Sequence, residues 1–402
     1  MHKIERLLQT LAPKGVEFRK LGEVLEYDQP NQYCVTSKEF DKSYPTPVLT
    51  AGKTFILGYT NEKDNIYQAS KNAPVIIFDD FTTATQWVDF PFKVKSSAMK
   101  ILLPKNPTIN IRFIFFYMQT IPYNIGGEHA RHWISRYSQL EVPIPPLEIQ
   151  QEIVKVLDAF TELNTELNTE LKARKKQYEY YQNMLLDFND INQNHQDAKE
   201  KLAQKPYPKR LQTLLHTLAP KGVEFRKLGE VCDFQKGKSI TKKAVTFGKV
   251  PVISGGRQPA YYHNEANRSG ETIAISSSGV YAGYVSYWDI PVFLADSFSV
   301  SPKQKTLMPK YLFHYLTTQQ DAIHATKSAG GIPHVYSKDL QNFLIPIPPL
   351  EIQQEIVKIL DQFSALTTDL LAGIPAEIKA RKKQYEYYRE KLLTFKPLQN
   401  KE

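Results

Sequence analysis

Apolar residues follow two rhythms along this chain of 402 residues. After Pro143-Ile144-Pro145-Pro146 they recur at Ile149, Ile153, Val156, Phe160, Leu163, Leu167, Leu171, Tyr178, Tyr181, Leu185 and Phe188. Steps of three, four and seven place these positions on one stripe of a helix of about 40 residues, roughly 60 Å long. A second stripe runs through Ile352, Ile356, Ile359, Phe363, Leu366, Leu370, Ile374, Ile378, Tyr385, Tyr388, Leu392 and Phe395. So long and narrow a stripe needs a partner, and each copy is the obvious partner for the other. The expectation is an antiparallel pair. Ile153, Phe160, Leu163, Leu167, Leu171 and Tyr178 would face Ile356, Phe363, Leu366, Leu370 and Tyr385. The alternative is two separate helices, each docked on its own globular region.

Elsewhere the rhythm shortens. The β-branched and aromatic runs at 75–78, 272–276 and 281–287 predict strands, while 113–120 and 311–318 predict helices. These regions read as mixed α/β domains.

The chain is written twice. Residues 7–24 (LLQTLAPKGVEFRKLGEV) return at 214–231 with one difference, Gln9 for His216. Residues 143–160 (PIPPLEIQQEIVKVLDAF) return at 346–363, and KARKKQYEYY occurs at both 172–181 and 379–388. Between these segments the halves diverge, although Pro47-Val48-Leu49 still parallels Pro251-Val252-Ile253 and Gly126-Gly127 parallels Gly330-Gly331. One fold with two different surfaces is the plainest explanation. The expected division is a first domain with its opening helix (1–142), a long helix (143–188), a polar linker (189–208), a second domain (209–345) and a second long helix (346–397).

One detail separates the long helices. Residues 161–171 read TELNTELNTEL, whereas the counterpart at 364–378 is four residues longer and contains Gly373 and Pro375. Those two residues should interrupt the second helix, because proline lacks the N–H that an interior position requires. One added TELN unit would lengthen the first helix by about 6 Å and turn its end by about 40°.

The 51 Lys and Arg against 42 Asp and Glu give a net charge of +9, which favours a polyanionic partner. Cys34 and Cys232 stand in no CxxC or Cys/His cluster, which argues against a disulfide framework or a structural zinc. The opening residues, MHKIERLLQTLAPKG, lack the apolar stretch of a signal peptide, and the apolar run 113–118 is too short for a bilayer. A cytoplasmic protein is expected, without membrane contact.

Duplicated PIPPLEIQQEIVK and KARKKQYEYY segments, bracketing two divergent domains after LAPKGVEFRKLGEV, resemble the specificity subunits of type I restriction–modification systems. The resemblance spans nearly the whole chain and lies in the order of segments. It implies an α+β fold: two mixed α/β target-recognition domains separated by a long antiparallel two-helix coiled coil, with pseudo-two-fold internal repetition. It further implies a bipartite, asymmetric target on double-stranded DNA. Two methyltransferase subunits, and restriction subunits where the system has them, would be the partners. S-adenosylmethionine, ATP and magnesium would belong to those partners, with no cofactor on this chain and no catalysis by it. On that reading the 161–171 tract sets the spacing between two half-sites. A helical scaffold whose globular ends bind proteins is the alternative from a different class.

The residues agree that chemistry is absent. Pro145-Pro146 lacks the flanking residues of an adenine-methyltransferase turn, and Gly52-Lys53-Thr54 and Gly237-Lys238-Ser239 lack the earlier glycine of a P-loop. Asp79-Asp80 has no Glu-x-Lys partner downstream and reads as a solvated turn. His129, His132, His263 and His334 show no metal-ligand spacing.

Base edges are read by amides, guanidinium groups and hydroxyls, while Lys and Arg hold phosphates. In the first domain the candidates are Lys53, Tyr59, Asn61, Thr82, Thr83, Thr85, Gln86, Lys93, Lys95, Arg131 and His132. In the second they are Lys236, Lys238, Ser239, Arg257, Gln258, Tyr261, Tyr262, Asn264, Ser277, Ser278, Tyr281, Tyr284, Lys327, His334 and Tyr336. Gln86, Arg257, Gln258 and Asn264 are the foremost direct readers.

Overall fold

The structure, a computed structural model, describes residues 2–50, 54–122, 131–192, 198–303, 305–328, 331–368 and 373–398. Its contacts divide into two compact units, Met1–Leu167 with Ile378–Glu402, and Asn168–Glu377.

The first unit begins with α1 (His2–Leu11), β1 (Glu17–Lys20), the short α2 (Leu21–Val24) and β2 (Leu25–Asp28). There follow β3 (Thr46–Leu49), β4 (Ile56–Thr60), β5 (Val75–Asp79), β6 (Thr85–Val88), β7 (Lys93–Val94), β8 (Met99–Pro104), α3 (Ile111–Met118) and β9 (Glu141–Ile144). The long helix α4 (Leu147–Leu186) comes next.

The second unit repeats the plan. After α5 (Ala198–Gln204) come α6 (Lys209–Leu218), β10 (Glu224–Lys227), α7 (Leu228–Val231) and β11 (Cys232–Lys236). The variable region holds β12 (Val250–Ile253), β13 (Tyr261–His263), β14 (Thr272–Ser276), β15 (Val285–Trp288), β16 (Phe293–Leu294) and β17 (Ser297–Pro302). It closes with α8 (Pro309–Thr318), α9 (Gln320–Ala325), α10 (Ser337–Leu340), β18 (Leu344–Ile347), α11 (Leu350–Thr368) and α12 (Ile374–Leu393).

Sheet topology is the same in both units. An antiparallel four-stranded sheet runs β2-β8-β5-β6 in one and β11-β17-β14-β15 in the other. A three-stranded sheet runs β4-β3-β7 and β13-β12-β16, with one parallel pair in each. The ribbons β1-β9 and β10-β18 bring each opening segment back to its proline-rich hinge. Of the expected strands, 75–78 and 272–276 form. From 281–287 only the end does, because 279–283 is a turn with Gly279 and Gly283 at φ 84° and 85°.

Each hinge is pinned by one glutamine of the repeated QQ pair. Gln150 is fully buried; its amide N–H groups donate to the Pro145 and Thr108 carbonyls (2.7 and 3.1 Å), and its Oε1 accepts from the Asn110 N–H at 2.8 Å. Gln353 does the same with Pro348, Thr306 and Met308 (2.7, 2.8 and 2.8 Å). Buried polar groups must be satisfied, and one side chain here satisfies several backbone groups at once. Asn110 then caps α3, its Oδ1 accepting from the Arg112 and Phe113 N–H groups at 3.0 and 3.2 Å.

The long helices pair within each unit. In the first, Phe160 stacks on Tyr388 and tilts against Tyr385 (5.4 and 6.4 Å between centroids), beside a core that includes Ile149, Ile153, Leu157, Leu392 and Leu393. In the second, Tyr181 stacks on Phe363 at 5.0 Å, and Tyr178 packs against a core that includes Ile352, Ile356 and Leu360. The earlier aromatic of α4 therefore meets the later one of the C-terminal copy, as antiparallel pairing requires. Leu163 and Leu171 are half-buried and Leu167 is buried, whereas Leu366 is exposed and Thr367 is buried in its stead. The buried line in α11 proceeds through 352, 356, 360 and 367, leaving 366 on the flank.

The expected interruption is present. Gly373 lies in a bend and α12 begins at Ile374, with the Gly373 carbonyl accepting from Ala376 and Glu377 and Pro375 in the first turn, where no donor is needed. Leu370 lies outside the described residues. The stretch 189–208, expected to be a polar linker, contains α5 and buries Ile191, Leu202 and Tyr207 in the second unit's core.

The C-terminal segment closes the first unit. The Val16 N–H donates to the Lys396 carbonyl and the Leu398 N–H to the Val16 carbonyl, both at 2.9 Å. Gly15 allows this approach: its φ is +108°, and a Cβ there would lie 2.4 Å from the Pro397 oxygen.

Candidate nucleic-acid interface

The shared topology identifies positions that correspond between the units. Phe78 pairs with Lys100 as Ile275 pairs with Phe298, so Asp80 corresponds to Ser277 and Lys100 to Phe298. Asp28 pairs with Ile101 as Gln235 pairs with Ser299, which sets Gln29 against Lys236. The Asp80 N–H donates to Ala98 O as the Ser277 N–H donates to Asp296 O (3.3 and 3.1 Å). The His132 N–H donates to Asp80 O as the Val335 N–H donates to Ser277 O, each at 2.9 Å. Arg131 thereby corresponds to His334. The backbone is held alike at Gln29, Asp80, Ala98, Lys100 and Arg131 and at Lys236, Ser277, Asp296, Phe298 and His334. Every side chain differs.

In the second unit these positions border an open cleft of about 530 Å³. Five sequence candidates, Lys236, Ser239, Ser277, His334 and Tyr336, line it, together with Asp296 and Lys338. The strand end after β11 supplies Lys236, and the Gly237 N–H is tied to Ser297 O at 2.8 Å. The turn after β14 supplies Ser277 and Ser278, and the latter's hydroxyl donates to the Asp296 carboxylate. His334 stacks on Tyr336 at 5.9 Å.

A neighbouring group forms around Arg257. Its guanidinium lies 4.9 Å from the Tyr281 ring and 5.6 Å from the Tyr284 ring. Burial lowers the His324 imidazole, and the positive charges of Lys327 and Arg257 lower it further against the opposing pull of Asp321. Lys238, Gln258, Tyr261, Tyr262 and Asn264 are exposed, the two tyrosines on or beside the edge of β13. They are not among the residues that line the cleft.

The first unit fills the corresponding place. Lys100 and Asp80 are buried 3.6 Å apart, Gln29 accepts from the Lys100 ammonium, and that ammonium lies 4.6 Å from the Tyr27 ring. Burial pulls the Lys100 ammonium below the usual lysine value; Asp80 opposes this and Arg131 adds to it. Arg131 is exposed at the rim. Beside it, the β5–β6 turn presents Thr82 and Thr83, with Thr83 at φ 59°, and Thr85 and Gln86 begin β6.

Several expectations are corrected. Asp79-Asp80 is no solvated turn. Asp79 is buried and holds its turn by accepting from Phe81 N–H (2.9 Å) and Thr82 Oγ (2.5 Å), while Asp80 also accepts from Trp133 N–H at 2.9 Å. Lys93 is buried against Glu62 at 2.9 Å and donates to Asp64 O at 2.8 Å, so it cannot hold a phosphate. His132 is buried, 1% exposed. Lys95 is exposed over Phe40, Asn61 is exposed and Tyr59 is half-buried. Lys53 and His129 lie outside the described residues. Gln29, Asp296 and Lys338 were not anticipated, since only strand register brings them to this place.

A second duplicated feature lies at the helix ends. A groove of about 660 Å³ in the first unit is lined by Phe18, Tyr117, Glu390 and Phe395, and one of about 430 Å³ in the second by Phe225, Tyr315, Asn183 and Phe188. These are the same positions of the repeat.

The family described as type I restriction modification DNA specificity domain matches twice, at residues 13–176 and 220–380. The chain belongs to this family. The specificity subunit of the type I restriction enzyme EcoR124I/EcoR124II from Escherichia coli is 38% identical, covering 98% of this chain and 97% of that protein. A putative type I specificity subunit from Haemophilus influenzae, S.HindORF215P, is 34% identical over 71% of this chain and 73% of its own length. The crystal structure of the type I restriction–modification S subunit from M. genitalium superposes with a TM-score of 0.64 at 17% identity, covering 94% of this chain and 96% of that one, which shows the fold. As a specificity subunit the chain is a DNA-recognition component rather than the catalytic one. Among the described residues no cluster of His, Cys, Asp and Glu could hold a metal ion, and no helix is long and apolar enough to cross a membrane.

Proposed function

We propose that the two units each read one half of a bipartite, asymmetric site on double-stranded DNA, in the cytoplasm, for methyltransferase subunits that carry the chemistry. One observation carries this reading: the five corresponding positions share a backbone frame and share no side chain. A frame held constant while the side chains it carries change, from a buried ion pair to an open cleft, suits the recognition of two different sequences. The basic balance of the chain suits phosphate contact around them. The twin grooves at the helix ends suit two identical methyltransferase subunits, one for each unit. S-adenosylmethionine, and ATP with magnesium where a restriction subunit joins, would be bound by those partners. The 161–171 tract lies inside the uninterrupted α4, which supports its role as the spacer between half-sites.

The test is to reconstitute the chain with its methyltransferase subunits and map the methylated adenines. A split target is expected, and Arg257→Ala should relax one half of it only. Equal loss at both halves, or methylation without sequence preference, would overturn the reading.

A further inference from the structure

On the proposed function, Asp296 in the cleft of the second unit is an acid on a surface that would face a polyanion. A carboxylate there weakens phosphate attraction, so its presence needs an offsetting contact. The fold does not require it, because Ala98 stands at the corresponding position and makes the same backbone hydrogen bond. Among the described residues, no lysine or arginine is within ion-pairing distance of the carboxylate, although Lys236 and Lys338 line the same cleft. The Ser278 hydroxyl donates to Oδ2 and fixes the group's orientation. Oδ1 is left as an acceptor. An ionised carboxylate accepts only, and the donors a duplex offers in its major groove are the exocyclic amino groups N4 of cytosine and N6 of adenine. Guanine O6 and N7 and thymine O4 would meet it acceptor to acceptor.

We propose that Asp296 reads one exocyclic amino group, on adenine or cytosine, in the half-site engaged by the second unit, and that it rejects guanine and thymine there. This rests on the DNA-reading function proposed above.

The experiment uses the assembled methyltransferase and duplexes of its mapped target. At each position of the second unit's half-site, adenine is replaced by purine or cytosine by 2-pyrimidinone, deleting only the amino group. For the wild type, one such deletion should weaken binding about tenfold or more. In D296N, which keeps an acceptor for Ser278, that position alone should lose its discrimination, while binding to unrelated DNA strengthens. A preference unchanged at every position, or a uniform loss at all of them, would overturn the proposal. So would a wild-type complex insensitive to every amino deletion, which needs no variant to fold. A wild-type complex without any sequence preference would instead remove the underlying DNA-reading function, and this inference with it.

Discussion

The Lys100 ammonium sits 3.6 Å from the Asp80 carboxylate, with the two side chains only 2% and 1% exposed. The second unit uses Phe298 and Ser277 at the corresponding positions, so the fold accepts either a buried ion pair or an uncharged arrangement. Lys100→Met should therefore cost about 3–5 kcal/mol, because it strands a buried carboxylate. Replacing both residues by their counterparts, Lys100→Phe with Asp80→Ser, should recover most of that loss in chemical denaturation. Equal costs for the single and double variants would show that the two groups are not coupled.

Gln150 and Gln353 hold their hinges by equivalent sets of hydrogen bonds. Gln150→Leu should leave the Asn110 N–H and the Pro145 and Thr108 carbonyls short of a partner, at about 1–3 kcal/mol for each group that stays buried. Hydrogen exchange should report the loss in the first unit for Gln150→Leu and in the second for Gln353→Leu. A spread of either effect to both units would contradict the assignment.

Burial would raise the Glu62 carboxyl, but hydrogen bonds from Ser37 and Thr36, together with Lys93, bring it from 4.5 down to about 2. Its contribution is fully present above about pH 4.5 and is lost as pH falls towards 2. Glu62→Gln should flatten the acid limb of the first unit's stability across that window and leave the second unit's unchanged. Denaturation at a series of pH values measures both.

Phe160 and Tyr388 should be coupled by about 0.5–1.5 kcal/mol in a double-mutant cycle with leucine at either position. Tyr181 and Phe363 should give a similar value in the second unit. Additive effects at either pair would show that the rings do not stack in solution.

Local and repeated signals were readable from the sequence. The duplication, the two long helices, the strand 272–276 and the break at Gly373-Ile374-Pro375 all follow from spacing or from proline chemistry. Leu366 was misplaced because hydrophobicity alone does not reveal that the buried line passes through Thr367. The buried states of Asp80, Lys93 and His132 were hidden for a different reason. Charged and polar residues are ordinarily solvated, and only a partner distant in sequence, such as Lys100 or Glu62, brings them inside. The site itself depends on register. Gln29, Asp80 and Lys100 meet because β2, β8 and β5 are neighbours in one sheet, and Arg131 joins them through the His132 N–H bond to Asp80 O; nothing in their spacing along the chain announces it.

The segment that seals Gly15 and Val16 has a consequence for biosynthesis. Leu392, Leu393 and Phe395 belong to the core or core margin of the unit whose first strands leave the ribosome earliest. The other unit, Asn168–Glu377, is a single uninterrupted stretch that has already emerged by then. Maturation thus inverts the order of translation. The part begun first must wait for Leu392, Leu393 and Phe395 to complete its core.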